Sequence, residues 1–322
     1  MTGLEIIACG PLVTVQDRGR PGWLSQGLAQ GGAADRAALD EADALLGDAG
    51  AGIETPGAPL AVRLGASAHV ALTGAPMQAV ADGTPLEWNS VTTLPAGTRL
   101  ELKPTGAGVY SYLHVAGGFA TAPVLGSRAA HLIARIGRPL IPGDVLPFEP
   151  SNGSARRVAA MDRLGGGVLR IVPGPQTALF PPEVRERFTT TAFTRDPRGN
   201  RQGVRLAMVG AGFETAGQLG LLSDFIRPGD VQMTGDGVPY ILGPECQTTG
   251  GYPRIGTVIA ADLPRALQAP LGAPLTLRFV TREAARAARW DRPKTGPLVR
   301  DPRALDLNGQ QLIGGVVSAR DA

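Results

Sequence analysis

Two short runs of this sequence combine glycines with side chains that can hold a small polar ligand. The first is Thr-Val-Gln-Asp-Arg-Gly-Arg-Pro-Gly at residues 14–22, and the second is Gln-Thr-Thr-Gly-Gly-Tyr-Pro at residues 247–253. Glycine permits close backbone approach and positive φ angles, which a plain strand does not need. One run of this kind is usually a turn. Two of them in one chain favour a binding site.

The first run and the segment after it place several polar groups close together. Gln16, Asp17 and Arg20 bring an amide, a carboxylate and a guanidinium onto one loop. Such a set can bind a polar planar group, or it can form a salt-bridged turn. Gln30-Gly31-Gly32 then leads into a predicted helix containing Asp35. The first N–H groups of that helix can bind an anion or a carbonyl oxygen, and simple capping is an equally good interpretation.

The second run offers an amide, two hydroxyls and a phenol, supplied by Gln247, Thr248, Thr249 and Tyr252. These groups are typical of a cradle for an oxyanion or an amide. Asn200-Arg201 can supply a charged partner. Because neither run alone can enclose an amide-containing ligand, we expect both to face one cleft.

Most catalytic signatures are absent from the sequence. It contains no G-x-x-x-x-G-K-[ST] run, no G-x-G-x-x-G run opening a helix after a strand, no G-x-S-x-G elbow and no H-E-x-x-H. Nucleotide chemistry would therefore need a contribution from a partner. The two cysteines and three histidines lack metal-ligand spacing, so we expect neither a metal site nor a disulfide. We interpret His114 as a sheet residue and, less clearly, His131 as structural.

Composition and charge exclude further classes of function. The chain has 322 residues and a net charge of +3, and its basic residues are scattered. A nucleic-acid-binding surface normally concentrates them on one element. No apolar stretch approaches the length of a membrane span, and no signal-peptide pattern is present. We therefore expect a cytoplasmic protein that binds neither nucleic acid nor membrane.

The 45 glycines and 28 prolines indicate many turns, which favours a mainly β fold with a few short helices. In the first half we predict strands at residues 69–73, 98–102 and 110–115, the last two joined as a hairpin. Six further short runs between residues 169 and 280 are typical of a closed barrel, because a parallel sheet would need crossover helices between them.

A polar, glycine-rich stretch at residues 149–167 is the best candidate for a linker between two β-rich domains. We predict a β-rich domain at residues 1–165 with one helix near residues 33–46, a barrel domain at residues 166–286 and a C-terminal tail at residues 287–322. Three further short helices, the second capped by Asp262, are predicted at residues 182–188, 262–268 and 282–290.

With these runs in view, the chain resembles the KipA family. This family is also called allophanate hydrolase subunit 2 or the C subunit of 5-oxoprolinase, and it is related to the carboxyltransferase domain of urea carboxylase. The resemblance is carried by an ordered series of motifs at residues 14–22, 31–36, 116–118, 124–128, 172–175, 200–201, 235–237, 247–255, 262–264 and 312–317.

The resemblance implies a cyclophilin-like barrel in the second half. It also implies partners: a KipI-like protein (the B subunit of 5-oxoprolinase) and, in 5-oxoprolinase, a third, LamB-like protein (its A subunit). That assembly opens the lactam of 5-oxoproline with ATP, which would be shared with the partner subunits. No cofactor-binding residue of this chain can be assigned from the sequence.

Site roles follow from the two runs and the resemblance together. Carbonyl and amide recognition is assigned to Gln16, Gln247 and Thr248, with Asn200, Thr249 and Tyr252 completing the substrate-binding set. Charge stabilisation is assigned to Arg20, Arg128 and Arg201, and proton transfer to Asp17 or Asp35. We expect Arg20→Ala to lower turnover while leaving the fold largely intact.

Two other functions stay open. The chain can be a carboxyltransferase subunit of a biotin-dependent urea-type carboxylase, with carboxybiotin arriving on a separate carrier because no A-M-K-M biotinylation run is present. It can also be a non-catalytic protein that sequesters its KipI-like partner. A neighbouring gene for a biotin carboxylase favours the first of these, and a pair that binds without turnover favours the second.

Several residues around the predicted pocket depart from the family pattern. Ala34 and Gln202 stand where the family commonly has methionine. Ala129-Ala130-His131 replace a small hydroxyl residue and an aromatic after G-S-R, and Pro244-Glu245-Cys246 replace a more usual Ala-Asp-Arg. These departures bear on the identity of the substrate more than on the fold.

Overall fold

Strands make up most of the regular structure, which confirms the predicted mainly β fold. The structure, a computed structural model, describes residues 3–159, 162–213, 221–288 and 293–297. The strands before residue 160 are β1 (Gly3–Cys9), β2 (Thr14–Gln16), β3 (Gly52–Pro56), β4 (Leu60–Leu64), β5 (Ala68–Gly74), β6 (Met77–Ala81), β7 (Thr84–Leu86), β8 (Ser90–Leu94), β9 (Arg99–Pro104), β10 (Tyr110–Val115), β11 (Val145–Pro147) and β12 (Arg156–Val158).

These strands form two sheets that share one hydrophobic core. The first has the order β11-β1-β4-β9-β6-β7, and the second begins with β2-β3-β10-β5-β8-β12. Alternating side chains of both sheets meet in the core, among them Val62 and Leu100 from the first and Val70 and Leu113 from the second. Burial of one face of each sheet fixes the strand registers, because a shift by one residue would expose these side chains.

A closed barrel follows, as the six predicted strands indicate. The strands after residue 160 are β13 (Gly167–Val172), β14 (Phe193–Arg195), β15 (Gly203–Ala207), β16 (Asp224–Phe225), β17 (Asp230–Met233), β18 (Pro239–Leu242), β19 (Thr249–Gly250), β20 (Arg254–Val258), β21 (Pro274–Phe279) and β22 (Thr295–Pro297). The order around the barrel is β13-β20-β17-β18-β15-β14-β21, in which β13 and β21 pair in parallel and close the ring. The predicted domain boundaries at residues 165 and 286 stay predictions.

In the described ranges, four short α-helices accompany the strands, namely α1 (Arg36–Leu46), α2 (Pro182–Thr190), α3 (Leu263–Gln268) and α4 (Arg282–Ala287). Helix α1 begins after Asp35, whose side chain accepts hydrogen bonds from the N–H groups of Ala37 and Ala38. Its alanine and leucine stripe is buried, and Gly47 ends the helix with a positive φ. The predicted helix at residues 33–46 therefore begins three residues later than expected.

Three details of the sequence prediction need correction, and a fourth is not tested by the structure. The hairpin proposed between residues 98–102 and 110–115 is wrong, because β9 pairs with β4 and β6 while β10 lies in the other sheet between β3 and β5. The linker at residues 149–167 contains strand β12, which pairs with β8 and with β22. Asp262 makes no cap hydrogen bond to α3 and instead binds Arg170. Trp290, the predicted end of the last helix, lies outside the described residues.

The sheets and the barrel are joined by a buried contact that places the site. Tyr110 and Tyr112 of β10 pack in the same hydrophobic cluster as the barrel core. Gln268 at the end of α3 accepts from the N–H groups of Val109 and Tyr110 at 2.9 and 2.8 Å and donates to Tyr110 O at 2.7 Å.

Among the residues described, no helix is long and apolar enough to cross a membrane.

Candidate functional site

A cleft of about 730 Å³ lies between the segment at residues 18–40 and the barrel. Its walls include apolar residues from both sides, such as Trp23, Leu24 and Leu28 opposite Ile226, Val258 and Leu263. Arginines also line it, namely Arg18, Arg20, Arg36, Arg227 and Arg286. A largely apolar cleft with a few charged groups suits a small ligand that carries an acidic or strongly polar group.

The Asp17 carboxylate stabilises the conformation of the first polar run through hydrogen bonds. Its Oδ1 accepts from Gly19 N at 2.8 Å and from Ser127 Oγ at 2.6 Å, and its Oδ2 accepts from Arg128 N at 2.7 Å. The carboxylate therefore ties its own loop to the loop at residues 124–128. Both oxygens are occupied by protein donors, and Asp17 is not among the residues that line the cleft.

The backbone of this run pairs with the backbone before α1. Arg20 N donates to Gln30 O at 2.8 Å, and Ala33 N donates to Asp17 O at 2.8 Å. Gly19 and Gly32 make this pairing possible, because a Cβ at Gly32 would lie 2.6 Å from Gly19 N. Both glycines also have positive φ. The glycines of the first run thus serve a close approach of two chain segments.

Arg20 is fully buried at the edge of this pairing and still lines the cleft. Its Nη2 donates to Ala129 O, and its Nε makes a long contact with Val124 O at 3.4 Å. Within the described residues, Nη1 has no hydrogen-bond partner. Burial lowers the pKa of Arg20, and Asp17 and Glu245 partly offset this effect.

Gln16 lies in β2 and is also fully buried. Its Nε2 donates to Thr14 Oγ1 at 3.0 Å and to Ala130 O at 3.2 Å. Its Oε1 has no partner among the described residues. The amide therefore holds the loop that follows Arg128, and the predicted contact with a ligand stays a prediction.

Arg201 lies in a buried ion-pair network rather than on the cleft surface. Its Nε donates to Glu245 Oε1 at 2.6 Å, its Nη1 contacts Glu54, and its Nη2 donates to Gly32 O at 2.6 Å. Glu54 Oε2 in turn accepts from Tyr112 Oη at 2.7 Å. These contacts link the barrel to β3, β10 and the glycine segment. Glu54 and Tyr112 are not predictable as site residues from the sequence, since no local pattern distinguishes them from other strand residues.

Asp35 belongs to a second buried network. Besides capping α1, its Oδ2 accepts from Arg163 Nε at 2.6 Å and from Gln268 Nε2 at 2.8 Å. Arg163 also makes a bidentate pair with Glu41 at 2.7 and 2.8 Å. These contacts account for the Asp35 carboxylate without a ligand. Its assignment to proton transfer stays untested, and the capping interpretation is the one the geometry favours.

The second polar run does not line the cleft, although residues just before it do. Pro244 and Cys246 line the cleft, and Pro244 O accepts from Gly31 N at 3.1 Å. No residue of 247–252 is among the described lining residues. Thr249 and Gly250 form strand β19 against β16. The expectation that both runs face one cleft thus holds for Arg20 and not for the second run.

The other predicted site residues are not among those that line the cleft. Gln247, Thr249 and Tyr252 are exposed, whereas Thr248 is buried and its carbonyl accepts from Ile226 N at 3.0 Å. Asn200 is exposed in the turn before β15, where its Oδ1 accepts from Gln202 N at 2.8 Å. The exposed side chain of Arg128 donates to Thr121 O at 2.8 Å.

Two of the departures from the family pattern meet beside Arg20. His131 Nδ1 lies 4.0 Å from Glu245 Oε2, which also accepts from Leu132 N at 3.0 Å. The neighbouring Cys246 is buried, and burial raises the pKa of its thiol to about 12. This cysteine is therefore a neutral part of the cleft wall and not a nucleophile. No group of acidic, histidine or cysteine side chains in the described ranges is arranged to hold a metal ion.

Comparison with known proteins identifies the family. Residues 26–280 match the family described as carboxyltransferase domain, subdomain A and B. The chain is 36% identical over 298 residues to the 5-oxoprolinase C subunit of Escherichia coli (strain K12), covering 90% of this chain and 96% of that protein. It is 30% identical over 293 residues to the 5-oxoprolinase C subunit of Haemophilus influenzae, covering 89% and 94%. It is also 28% identical to a putative urea carboxylase of Emericella nidulans, over 90% of this chain and 25% of that protein.

Solved structures show the same fold. The crystal structure of TTHA0988 superimposes with a TM-score of 0.77 at 29% identity, covering 86% of this chain and 55% of that one. The Kluyveromyces lactis urea amidolyase superimposes with a TM-score of 0.79 at 22% identity, over 88% of this chain and 19% of that one. Together with the sequence matches, these findings show that the chain belongs to the carboxyltransferase subdomain A and B family, and two of its similar relatives are 5-oxoprolinase C subunits.

Proposed function

We propose that this chain is the C subunit of an ATP-dependent 5-oxoprolinase and that it binds a small cyclic amide in the cleft. The observation that carries the proposal is the similarity to the 5-oxoprolinase C subunit of Escherichia coli, which extends over 96% of that protein. Because the similarity extends over nearly the whole length of both chains, it supports the same subunit role for this chain as for the Escherichia coli protein. It is stronger support than a shared fold, since one fold serves many functions.

The chemistry of the cleft supports a role in amide opening. Attack on a lactam carbonyl places negative charge on its oxygen, and a preorganised guanidinium stabilises that charge most effectively where water is excluded. Arg20 is buried beside the cleft and has one N–H group that no described protein atom accepts. We therefore assign the contact with the substrate oxygen to Arg20.

Three other predicted catalytic residues hold the chain segments around Arg20 in position. Asp17 holds the loop that carries Arg20, and Arg201 holds the glycine segment through Gly32 O. Asp35 fixes the start of α1. Because the hydrogen bonds of these three side chains are directed at protein groups, we propose that they position the site and do not transfer protons.

ATP is proposed as the energy source of this reaction, because a five-membered lactam does not open appreciably without activation. Arg18, Arg36 and Arg286 line the cleft, and their charge suits a phosphate group. The sequence has no glycine-rich phosphate loop, so these arginines would act with a second protein. We propose a KipI-like B subunit as that protein and a LamB-like A subunit as the third component.

The test is ATP turnover by the chain reconstituted with these two proteins, measured with 5-oxoproline, urea and guanidine in parallel. We expect 5-oxoproline to stimulate ATP hydrolysis and to be converted to glutamate. A complex from which this chain is omitted serves as the control and should form no glutamate. Glutamate formation at an equal rate without this chain would overturn the proposal.

A biotin-dependent carboxyltransferase is the second candidate, favoured by the family match and by the putative urea carboxylase relative. The apolar wall around Trp23, Leu24 and Leu28 suits the hydrocarbon part of carboxybiotin carried by another protein. Lys103 and Lys294 stand in no biotinylation motif. Urea-stimulated ATP use that requires both bicarbonate and a biotinylated carrier would favour this candidate over the first.

A further inference from the structure

A second cavity, of about 510 Å³, adjoins the cleft at Arg227 and Arg286. Both arginines, together with Ile226, line the cleft of about 730 Å³ as well as this cavity. Pockets of roughly 300–1,000 Å³ hold drug-sized ligands, and a five-membered lactam is much smaller than such a ligand. The two adjoining spaces therefore have room for a second chemical group beside the proposed amide.

Asp230 supplies the one carboxylate among the described residues that line the second cavity, and protein donors satisfy it. Its Oδ1 accepts from Thr257 Oγ1 at 2.6 Å, and its Oδ2 accepts from Arg227 N at 3.1 Å. Arg254 Nη1 lies 3.4 Å from the same Oδ2, and the guanidinium of Arg254 also pairs with Asp224. Asp230 and Arg254 are therefore occupied by each other and by neighbouring protein groups.

Three further arginines line the second cavity, namely Arg227, Arg282 and Arg286. Their guanidinium groups make no hydrogen bond or ion pair with any residue that the structure describes. Glu283 follows Arg282 in the sequence without neutralising it. Hydrogen bonds from its own backbone and from Thr281 lower the pKa of Glu283, and the charge of Arg282 contributes least to this effect. The cavity thus holds three positive charges that no described carboxylate balances.

Helix α4 brings two of these charges together. Arg282, Ala285 and Arg286 all line the second cavity, so one face of α4 is turned toward it. Residues three and four apart on a helix have Cβ atoms about 5–6 Å apart, and like charges at this spacing repel each other. Arg227 comes from another element, the loop between β16 and β17. An anion in the cavity would relieve the repulsion between the arginines.

We propose that Arg227, Arg282 and Arg286 form a polyphosphate subsite in the second cavity, which holds the phosphates of ATP. This inference rests on the proposed function for the identity of the nucleotide. Guanidinium groups suit phosphate because their planar fork donates parallel hydrogen bonds to two of its oxygens. Because Arg227 and Arg286 line both spaces, phosphates bound here lie next to an amide in the cleft. The subsite adds Arg227 and Arg282 to the arginines already proposed to bind phosphate.

Calorimetric titration of the full-length chain with tripolyphosphate tests the subsite, with matched variants at Ala285. This residue lines both spaces on the face of α4 that carries the two arginines. Ala285→Glu adds a carboxylate there, whereas Ala285→Gln adds a side chain of nearly the same shape without charge. No residue of α4 is buried, so neither variant disturbs the core. We expect Ala285→Glu to bind tripolyphosphate at least about tenfold more weakly than Ala285→Gln. Equal binding by the two variants, or no binding by the wild type, overturns the subsite.

Two double variants separate local binding from the overall charge of the protein. Arg282→Gln combined with Arg286→Gln removes two positive charges from the cavity wall. Arg157→Gln combined with Arg278→Gln removes two from exposed positions that line neither space. Because salt screens exposed charges beyond about 8 Å at physiological ionic strength, the first pair should weaken binding by at least about tenfold and the second by less than about twofold. Equal weakening by the two pairs contradicts the subsite.

A competition experiment identifies the source of the phosphates. We expect ATP to displace bound tripolyphosphate, and failure of ATP to do so contradicts the assignment to a nucleotide. Tripolyphosphate binding that follows the predicted pattern, in an assembly that forms no glutamate from 5-oxoproline, refutes the proposed function and leaves the subsite in place. Glutamate formation with the same KM for ATP in the Ala285→Glu and Ala285→Gln assemblies refutes the subsite and leaves the function.

Discussion

Arg20 serves both the fold and the proposed chemistry. Its Nη2 satisfies the carbonyl of Ala129 and its Nε lies near that of Val124, while its Nη1 has no hydrogen-bond partner among the described residues. The expectation that its removal leaves the fold largely intact therefore needs revision. A buried guanidinium that satisfies buried carbonyls cannot be removed without leaving them unpaired.

We predict that Arg20→Ala lowers the free energy of unfolding by about 1–3 kcal/mol because buried acceptors lose their donor. It should also raise the activation barrier for amide turnover by about 3 kcal/mol. Urea unfolding and kcat/KM measure the two effects. Arg99→Ala, which removes an exposed pair with Glu101, is the control and should change stability by less than about 0.5 kcal/mol. An Arg20→Ala protein with wild-type stability and wild-type kcat/KM contradicts both assignments.

The buried ring of His114 leads to a prediction about how the stability of the fold depends on pH. It is fully buried in β10, where its Nδ1 lies 3.3 Å from Ala49 O, and burial lowers its pKa from about 6.5 to about 4. The unfolded chain therefore binds this proton more readily than the folded chain. Stability from the neutral ring is present above pH 6.5 and is lost as the pH falls toward 4.

Titration of His114 should lower the free energy of unfolding by about 2 kcal/mol between pH 7 and pH 5. Unfolding free energies at both pH values for the wild type and for His114→Gln measure it, since the variant lacks the titrating ring. The variant should lose about 2 kcal/mol less than the wild type over this interval. An identical pH dependence of the two proteins would mean that the ring is already protonated or is not buried.

At the scale of elements, the site depends on how α1 and the segment before it are held. Asp35 caps the helix, Glu41 lies further along it, and Arg163 binds both carboxylates from a distant part of the chain. All three side chains are at most 2% exposed. The cleft wall at Ala33 and Ala34 directly precedes this cap.

We predict that Arg163→Met destabilises the fold by about 3–5 kcal/mol at neutral pH, because it leaves two carboxylates buried without a cation. Burial already raises the pKa of Glu41 although Arg163 lowers it, so the loss of Arg163 should raise that pKa further. A raised pKa stabilises the folded state at low pH, and this contribution is lost as the pH rises. The deficit of the variant should therefore be larger at pH 8 than at pH 5.

Arg18→Met is the matched control, since Arg18 binds Asp40 and Asp43 on the exposed side of the same helix. Exposed pairs contribute at most about 1 kcal/mol, so this variant should be nearly as stable as the wild type. Equal stability losses for the two variants, measured by urea unfolding, would contradict the buried network.

The sequence predicts local elements well and long-range contacts poorly. Alternating apolar residues located six barrel strands, whereas β14 was missed because three residues are too few to show a period. The hairpin error arose because two runs adjacent in sequence belong to different sheets. In the site, Arg20 of the first run lies at the cleft. The ion pairs of Arg201 with Glu54 and Glu245 were not predicted, because nothing in the local sequence marks two residues that pair across more than 40 positions.

At the scale of the whole molecule, the cleft lies where the sheet pair, with its own core, packs against the separate core of the barrel. Tyr110 and Tyr112 of one sheet pack with the barrel interior, and Gln268 binds the same strand. The segment at residues 18–40 comes from the sheets, and its opposite wall comes from the barrel. A ligand in the cleft therefore touches both halves. A partner protein that covers the cleft would complete the site.

We propose that this chain acts in 5-oxoproline opening at the cleft. Glutamate formation by the three-protein assembly, with Ala260→Trp compared against Ala96→Trp, tests this proposal. Ala260 is exposed and lines the cleft, whereas Ala96 is exposed between β8 and β9, away from it. We expect Ala260→Trp to lower kcat/KM by at least about tenfold and Ala96→Trp to match the wild type. Equal kcat/KM for the two folded variants would contradict it.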